Sequence, residues 1–198
     1  AWNVAPRVAR ELQALLAPGQ AVVELRNPIS SDMSAMRTTL WAGLLNTAIH
    51  NLNRQQSRVR LFETGLRFIP GGVGLDGLRQ EPTLALLSTG RRLPESWSGG
   101  SDSVDFFDLK GDLEAVIDLA RLGGAIEFTR GENPALHPGQ CARILRDGQP
   151  VGLVGALHPQ VQSELGIEQP IYLAEIALSA LEGGPLHKFS ELSRFPAV

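Results

Sequence analysis

Two hydrophobic repeats adjoin in the middle of the chain. Between residues 41 and 52, apolar residues recur every three or four positions, which is the spacing of one buried helix face. The members of this stripe are Trp41, Leu44, Leu45, Ala48, Ile49 and Leu52. From Arg58 to Phe68 the side chains alternate instead, as they do in a strand with two unlike faces. The pattern predicts a helix followed by a strand, onto which the rest of the chain packs.

The flanking segments add shorter elements of both kinds. Helical spacing predicts a helix over Val4–Leu16 and another beginning after Asp105, whereas Thr83–Leu87 reads as the return strand. Further strands are predicted at Ala21–Leu25, Ala125–Thr129, Cys141–Leu145, Pro150–Ala156 and Ile171–Ile176, with short helical segments from His158 to Gly166 and over Leu178–Leu181. About six or seven mostly antiparallel strands flanked by helices predict an α+β fold in a single domain spanning residues 1–198.

Local signals fix several element boundaries. Asp105 and Asp108 have the spacing of an N-cap residue and its N3 partner before a helix. Asp147-Gly148 predicts a tight hairpin turn, because both residues accept the positive φ values of a type I′ turn. The Gly/Ser/Pro-rich stretch Arg91–Ser103 is expected to be a surface loop.

Composition narrows the class of protein. The chain has 198 residues and a formal net charge of -3, which argues against a wholly basic nucleic-acid-binding surface. The one cysteine, Cys141, excludes an internal disulfide framework and fits a reducing compartment. Apolar runs are too short for a membrane helix, so we expect a cytoplasmic protein with no membrane partner. The first residue is not Met, and the sequence stops at Arg194-Phe195-Pro196-Ala197-Val198, partway through a sequence pattern. We therefore expect a piece of a longer chain.

Four groups of residues resemble sites, and each has a structural interpretation that we favour. Residues 72–77 spell a dinucleotide fingerprint, but no helix of useful length can follow them. The histidines and Cys141 offer no second pair with zinc spacing. The acidic residues fit capping and helix-dipole interactions better than magnesium binding. The histidines are His50, His137, His158 and His187, and the acidic residues are Asp102, Asp105, Asp108 and Asp112.

A set of short motifs spread over the chain is more specific than any of these groups. They are Asn27-Pro28-Ile29-Ser30, Met36-Arg37-Thr38-Thr39-Leu40, Arg60-Leu61-Phe62-Glu63-Thr64-Gly65, Phe106-Phe107-Asp108-Leu109-Lys110-Gly111, Asn133-Pro134-Ala135-Leu136-His137-Pro138-Gly139 and Ser193-Arg194-Phe195-Pro196. Together they resemble the catalytic-like module of bacterial phenylalanyl-tRNA synthetase beta subunits, which is related to class II synthetase catalytic domains. The resemblance implies a class II synthetase-like sheet, and it implies that the segment ending at Pro28 corresponds to motif 1, which class II enzymes use for subunit contact.

The resemblance also implies where adenylating groups would lie. Adenylate formation needs fixed cations around the ATP phosphates. On the family's pattern, the motif 2 arginine position reads Ile69 and the acidic position reads Gly71, while the motif 3 counterpart, residues 171–181, contains no arginine. Arg67 lies two residues before the expected position and on the same strand face, so a displaced arginine stays open.

These departures predict a non-catalytic scaffold module that supports aminoacylation of tRNA by packing on the catalytic alpha subunit. The family implies a heterotetramer of two alpha and two beta chains, with ATP, magnesium and tRNA used by the parent enzyme. We expect no catalytic, cofactor-binding or metal-binding residue in this module. Two alternatives remain: a stand-alone amino-acid adenylating ligase and a tRNA-binding module.

Overall fold

A computed structural model describes residues 7–8, 10–28, 30, 34–71, 77–97, 100 and 102–185. Its helices are α1 (Arg10–Leu16), α2 (Trp41–Leu52), α3 (Phe106–Leu119) and α4 (Pro159–Glu164), followed by a 3₁₀ helix at Leu178–Leu181. Its strands are β1 (Arg7–Val8), β2 (Ala35–Met36), β3 (Arg58–Pro70), β4 (Leu78–Gly90), β5 (Ile126–Arg130), β6 (Leu136–Arg146), β7 (Gln149–Leu157) and β8 (Ile171–Ala177). The predicted α+β class is confirmed.

Six of these strands form one sheet in the order β3-β4-β8-β7-β6-β5, and every neighbouring pair is antiparallel. Strand β8 is last in sequence but central in space, between β4 and β7. The two-residue strands β1 and β2 form a separate pair. No helix in the described part of the chain is long and apolar enough to cross a membrane.

The hairpin of β3 and β4 is the longest feature of the sheet. Its register runs without interruption from Arg58 opposite Gly90 to Pro70 opposite Leu78. The return strand predicted at Thr83–Leu87 is therefore too short at both ends. Proline normally interrupts a ladder, but Pro82 lies just beyond Thr83, where the pairing of β4 with β8 ends. Because β8 does not pair with Pro82, the missing N–H of Pro82 costs no hydrogen bond between β4 and β8.

The two faces of the sheet carry separate cores. On one face, α1, α2 and α4 pack over apolar residues of β3, β4 and β8, including Val59, Leu87 and Leu173. On the other face, α3 packs over apolar residues of β4, β7 and β8. Helices of this chain therefore cover the middle of the sheet on both faces.

Local signals predicted their structures correctly. Asp105 and Asp108 form a capping box, in which each side chain accepts a hydrogen bond from the other's backbone N–H. Asp147 and Gly148 adopt φ values of 51° and 75°, as a type I′ turn requires. The central helix, α2, begins at Trp41 and ends at Leu52, as its stripe indicates.

The predicted strand at Ala21–Leu25 is wrong. This segment makes one isolated bridge, Glu24 to Ala35, flanked by hydrogen bonds from Leu25 N–H to Ser34 O and from Met36 N–H to Val23 O. Its β-prone residues find only a two-residue partner strand, which is too short to continue a ladder. The predicted helix over Val4–Leu16 is wrong at its start, because Arg7 and Val8 pair with Met36 and Ala35 as strand β1 and the helix runs from Arg10 to Leu16. Residues 4–6 and 9 lie outside the described residues, as do residues 72–76 of the glycine-rich stretch.

Two glycines provide a test of backbone packing. A Cβ at Gly152, in β7, would overlap the carbonyl oxygen of Glu175 in β8, whereas a Cβ at Gly111, on the exposed face of α3, meets nothing within 4 Å. We expect Gly152→Ala to lower the free energy of unfolding by about 1–3 kcal/mol through strain. Gly111→Ala should raise it by about 0.5–1 kcal/mol through helix propensity. Urea unfolding followed by circular dichroism measures both, and a Gly152→Ala protein as stable as wild type would contradict the packing described.

Candidate functional site

The positions that would carry motif 2 chemistry lie at the end of β3. Ile69 pairs with Arg79 across the hairpin, and Gly71 follows the strand with φ of 87° and donates its N–H to Gly77 O at 2.8 Å. Neither position presents a charged side chain. Any phosphate-binding cation here must come from a neighbouring residue.

Arg67 is that neighbour, and its guanidinium is already paired. It lies directly opposite Glu81 in the hairpin register, and its Nε donates to Glu81 Oε2 at 2.5 Å, with Nη2 in contact with the same oxygen. Arg79 Nη2 also lies 3.6 Å from Glu81. Because the carboxylate of Glu81 lies against both cations, Arg67 presents little unpaired charge to a ligand.

Glu175 of β8 brings a second carboxylate to the same face of the sheet. Its side chain is buried, with 6% exposure, and accepts hydrogen bonds from Thr39 Oγ1 at 2.7 Å and Leu40 N–H at 3.1 Å. Thr39 Oγ1 in turn accepts from Trp41 N–H at 3.2 Å. The N-cap residue Leu40 supplies no side-chain cap. Glu175 and Thr39 therefore satisfy the first donors of α2, which a helix start leaves without intrahelical partners.

Burial raises the pKa of Glu175, because loss of water penalises the charged form. The positive charge of Arg67 and the hydrogen bonds from Thr39 and Leu40 act in the opposite direction but do not cancel the effect of burial. Glu175 is thus a buried acid whose side-chain oxygen atoms accept hydrogen bonds from Thr39 and Leu40.

A second buried ion pair lies further along β3. Arg37, with 3% exposure, contacts Glu63 through Nη1 and Oε1 at 2.5 Å, and its Nε donates to Leu66 O at 2.9 Å. The backbone of Phe68 donates to Arg37 O at 2.8 Å. Gly65 leaves the space that the guanidinium fills, since a Cβ there would overlap it. These bonds fasten the segment before α2 to the outer edge of β3.

We name the cluster of Thr39, Arg67, Glu81 and Glu175 the polar junction. Two cavities, of about 120 and 420 Å³, adjoin it and share Arg67, Leu153 and Glu175 in their walls. The smaller is below the size of ligand sites, which are about 300–1,000 Å³, and the larger adds one charge of each sign, Glu132 and Arg143. The cation nearest to both cavities, Arg67, is held by Glu81, so the geometry favours a structural junction.

The motif 3 counterpart offers no replacement cation. β8 ends at Ala177 and continues into a four-residue 3₁₀ helix instead of a longer helix. The sequence contains no arginine between Arg146 and Arg194. Arg146 itself donates to Ser179 O and Glu182 O, at 3.3 and 2.8 Å.

The other candidates have structural roles where the structure describes them. His137 Nδ1 accepts from Gly139 N–H at 3.0 Å, and His158 Nδ1 accepts from Gln160 N–H at 3.2 Å as the cap of α4. His50 is exposed on α2, Cys141 is buried, and His187 lies outside the described residues. No group of three potential metal ligands occurs within the described ranges.

The acidic residues near α3 form ion pairs in addition to the capping box. Arg92 contacts Asp108 at 3.0 Å and Asp105 at 3.3 Å, and Arg60 contacts Asp112 at 2.7 Å. Burial alone would raise the pKa of Asp108, but hydrogen bonds from Asp105 N–H and Arg92 hold it below its ordinary value. The carboxylates are occupied by donors, as the capping interpretation predicts.

Sequence reasoning missed the polar junction. Glu175 is the one charged residue in the strand Ile171–Ala177, and that isolation is the signal that could have identified it. The pairing of Arg67 with Glu81 depends on the hairpin register across residues that the sequence leaves as a loop, and no local pattern indicates it.

Comparison with known proteins identifies the class from the fold. A solved structure described as Desulfitobacterium hafniense PylSc, a pyrrolysyl tRNA synthetase, superposes with a TM-score of 0.55 over 90% of this chain and 59% of its own, at 17% identity. With its six-stranded antiparallel sheet and flanking helices, the chain has the fold of a class II aminoacyl-tRNA synthetase domain.

The family follows from sequence. The family profile described as "Phenylalanyl tRNA synthetase beta chain CLM domain" matches residues 4–178, and the chain belongs to this family. Proteins named "Phenylalanine--tRNA ligase beta subunit" are similar to it, with 55% identity in Pseudomonas syringae pv. tomato and 47% in Vibrio cholerae. The matches cover 93% and 96% of this chain but 23% and 24% of those proteins. The chain therefore spans about a quarter of the length of these relatives.

Substitution of the buried acid tests the polar junction. Because the folded-state pKa of Glu175 lies above that of the unfolded chain, the folded form binds more protons between the two values, and this contribution to stability falls as pH rises through that window. Glu175→Gln cannot titrate. Wild type should therefore lose stability relative to Glu175→Gln as pH rises from about 4, the ordinary carboxyl range. The quantity to compare is the free energy of unfolding of wild type minus that of Glu175→Gln. Denaturant unfolding of both proteins across pH measures this difference.

Glu81→Gln is the matched control, because Glu81 is half-buried and carries the same functional group on the same face. If the difference for Glu175→Gln stays flat with pH, or rises, Glu175 does not titrate as a buried acid.

Proposed function

We propose that this chain is a non-catalytic scaffold module of a phenylalanine–tRNA ligase beta subunit. In this role it supports ATP-dependent attachment of phenylalanine to tRNA by packing on a catalytic alpha subunit, within a cytoplasmic assembly of two alpha and two beta chains. The observation that carries the proposal is the polar junction. Ile69 occupies the position expected for the motif 2 arginine, and the nearby Arg67 is paired with Glu81. The similarity to proteins named as ligase beta subunits supplies the context.

The single domain of residues 1–198 would then be one part of a longer beta chain. ATP and magnesium belong to the parent enzyme, and this module supplies no ligand to either. The domain contributes a rigid sheet whose helices can meet a partner.

A groove between α1, α2 and α4 is the surface that we assign to the alpha subunit. It has a volume of about 810 Å³, with apolar residues Leu12, Leu15 and Leu165 in its walls and Glu11 and Glu164 at its sides. An amphipathic helix with basic flanks fits such a groove, because apolar residues seat in it and the cations meet the two carboxylates. The role of motif 1 in subunit contact supports the choice of α1.

A scaffold role predicts an extended apolar and aromatic surface that is left uncovered in the isolated chain, but the described residues of α1 and of the segment up to Pro28 carry no large exposed apolar side chain. Among the described residues, the large exposed apolar side chains lie elsewhere: Phe62, Leu66, Leu93, Trp97, Phe107 and Leu119. The apolar side chains that line the α1 groove are small, buried or half-buried, so the interface we propose is a groove instead of a flat aromatic patch.

Paired alanine substitutions test this groove. Ala14 lines the groove and is exposed, and Ala115 is also exposed but lies on α3, on the opposite face of the sheet. We expect Ala14→Arg in the full-length beta chain to reduce co-purification with alpha at least tenfold, because a long cation fills the groove that the partner helix needs. Ala115→Arg should leave co-purification unchanged. Equal recovery of alpha with both variants would exclude this groove as the contact.

Pyrophosphate exchange tests the non-catalytic role. We expect no exchange by the chain alone with ATP and phenylalanine, since Arg67 is paired with Glu81 and the positions expected for the motif 2 arginine and the motif 3 arginine carry no cation. Glu81→Gln, which releases Arg67, should also give none. The assembled alpha–beta ligase is the positive control, and exchange by the isolated chain above background would establish the stand-alone ligase instead.

A further inference from the structure

The first half of strand β3 is an uncovered margin of the six-stranded sheet. β3 is the outermost strand and pairs on one side only, with β4. Near the end of β3 the outer side is occupied, because Phe68 N–H donates to Arg37 O and Leu66 O accepts from Arg37 Nε. Along residues 58–65, which we call the free edge, the backbone makes no hydrogen bond to any described residue outside the hairpin.

The register of the hairpin decides which backbone groups of the free edge face outward. In an antiparallel pair, residues that bond to the partner strand alternate with residues whose N–H and C=O point away from it. The outward contacts of Leu66 and Phe68 show that the even-numbered residues of β3 point away from β4, and the register runs without interruption. The N–H and C=O groups of Arg60, Phe62 and Thr64 therefore form a row of donors and acceptors with no partner among the described residues.

The side chains of the free edge also favour the addition of a strand. Phe62 is 74% exposed, and Thr64, which follows it on the same face, is exposed as well. Edge strands are usually protected by lysine, proline, a bulge or a covering segment. Residues 58–65 contain no lysine or proline, and their pairing with β4 has no bulge. A partly apolar edge without these protections is a template for an extended peptide segment.

Charge at the free edge indicates which residues a complementary strand carries. Arg58 forms no ion pair with the described residues, and its Nε donates to Arg92 O at 3.5 Å. Arg60, two residues further on, contacts Asp112 of α3 at 2.7 Å. The unbalanced positive charge therefore lies at the Arg58 end, with the exposed Phe62 near the centre. A strand with an acidic residue near Arg58 and an apolar residue beside Phe62 matches this edge.

We propose that the free edge is completed by an extended strand from another part of the same beta chain. The inference rests on the proposed function in one respect, namely that this module is one part of a longer beta chain. The chain spans about a quarter of the length of its relatives, and a segment attached to the same chain has a high effective concentration.

Two other occupants fit the free edge less well. Strand alternation places Phe62 on the same face as Arg60, which contacts α3, whereas the α1 groove that we assign to the alpha subunit lies on the opposite face. An alpha subunit in that groove leaves the free edge open. A second copy of the free edge offers no acidic residue to Arg58, because Glu63 points to the other face and is bound by Arg37.

Hydrogen exchange measured at single amides tests the inference, in the 198-residue chain and in the full-length beta chain without alpha. We expect the Phe62 and Thr64 amides to exchange about a hundredfold more slowly in the full-length chain, because a paired strand must open before its amides exchange. The Leu61 and Glu63 amides face β4, so they should be protected in both chains and serve as internal controls.

Two matched pairs of variants in the full-length beta chain separate strand pairing from simple coverage. Phe62→Lys places an edge-blocking residue on β3 and should abolish slow exchange at Thr64, whereas Phe107→Lys, at an equally exposed residue of α3, should not. Thr64→Pro removes one outward N–H, which an edge strand tolerates, and should abolish slow exchange at Phe62, whereas Thr64→Val should keep it. Thermal unfolding followed by circular dichroism checks that every variant is folded.

The proposal is overturned if Phe62 and Thr64 exchange equally fast in both chains, or if Thr64→Pro leaves Phe62 as protected as in wild type. Protection that appears only after alpha is added assigns the free edge to alpha, and protection that rises with the concentration of the 198-residue chain assigns it to a second copy. Either result also overturns the proposal. The main comparison contains no alpha, so its outcome does not depend on the scaffold role, whose own failure appears as pyrophosphate exchange by the isolated chain.

Discussion

The buried carboxylate of Glu175 joins the last strand of the sheet to the first turn of its central helix. The hydrogen bond to Leu40 N–H spans 135 residues of sequence, and the one from Thr39 spans 136. Helix α2 has no side-chain cap from its own N-cap residue, and the Trp41 indole N–H donates to Ala174 O in the same strand. A buried carboxylate is unfavourable unless donors satisfy it. The start of α2 supplies those donors, so the position of α2 over β3 and β4 and the burial of Glu175 depend on each other.

This dependence has a chemical consequence for the end of the sheet. A site for ATP needs positive groups in the space where the triphosphate lies. Here the end of β3 brings Arg67 next to Glu81 and Glu175, and Arg67 is paired with Glu81. The carboxylates that fix the helix and the hairpin also oppose an anion. The requirements of the structural junction and of adenylation therefore conflict, and this conflict is the physical basis of the scaffold role that we propose.

The sequence predicted the parts of the fold that rest on neighbouring residues. The stripe of α2, the capping box at Asp105 and the turn at Asp147 need only local spacing and turn chemistry, and all three are present. The full length of β3 and β4 could not be predicted, because it depends on which residues pair across the two strands. The predicted strand starts at Thr83, whereas β4 continues through Pro82 to Leu78, because β8 does not pair with Pro82 and needs no N–H from it. Likewise, the sequence shows Glu175 as an isolated charge in an apolar strand. The groups that donate hydrogen bonds to it, on Thr39 and Leu40, lie far away in sequence.

Sheet width explains why the two faces differ. Six strands spaced at about 4.8 Å span about 24 Å, whereas one helix with its side chains covers about 10 Å. Three helices, α1, α2 and α4, pack on the face that contains the polar junction. The other face has α3, which packs mainly over β4, β7 and β8. Strands at both margins therefore stay partly uncovered. At β3 the uncovered strip leaves Phe62 largely exposed, whereas at β5 the first residues of α3 and the strand wall a cleft of about 790 Å³. The cleft is thus a consequence of covering a six-stranded sheet with one helix.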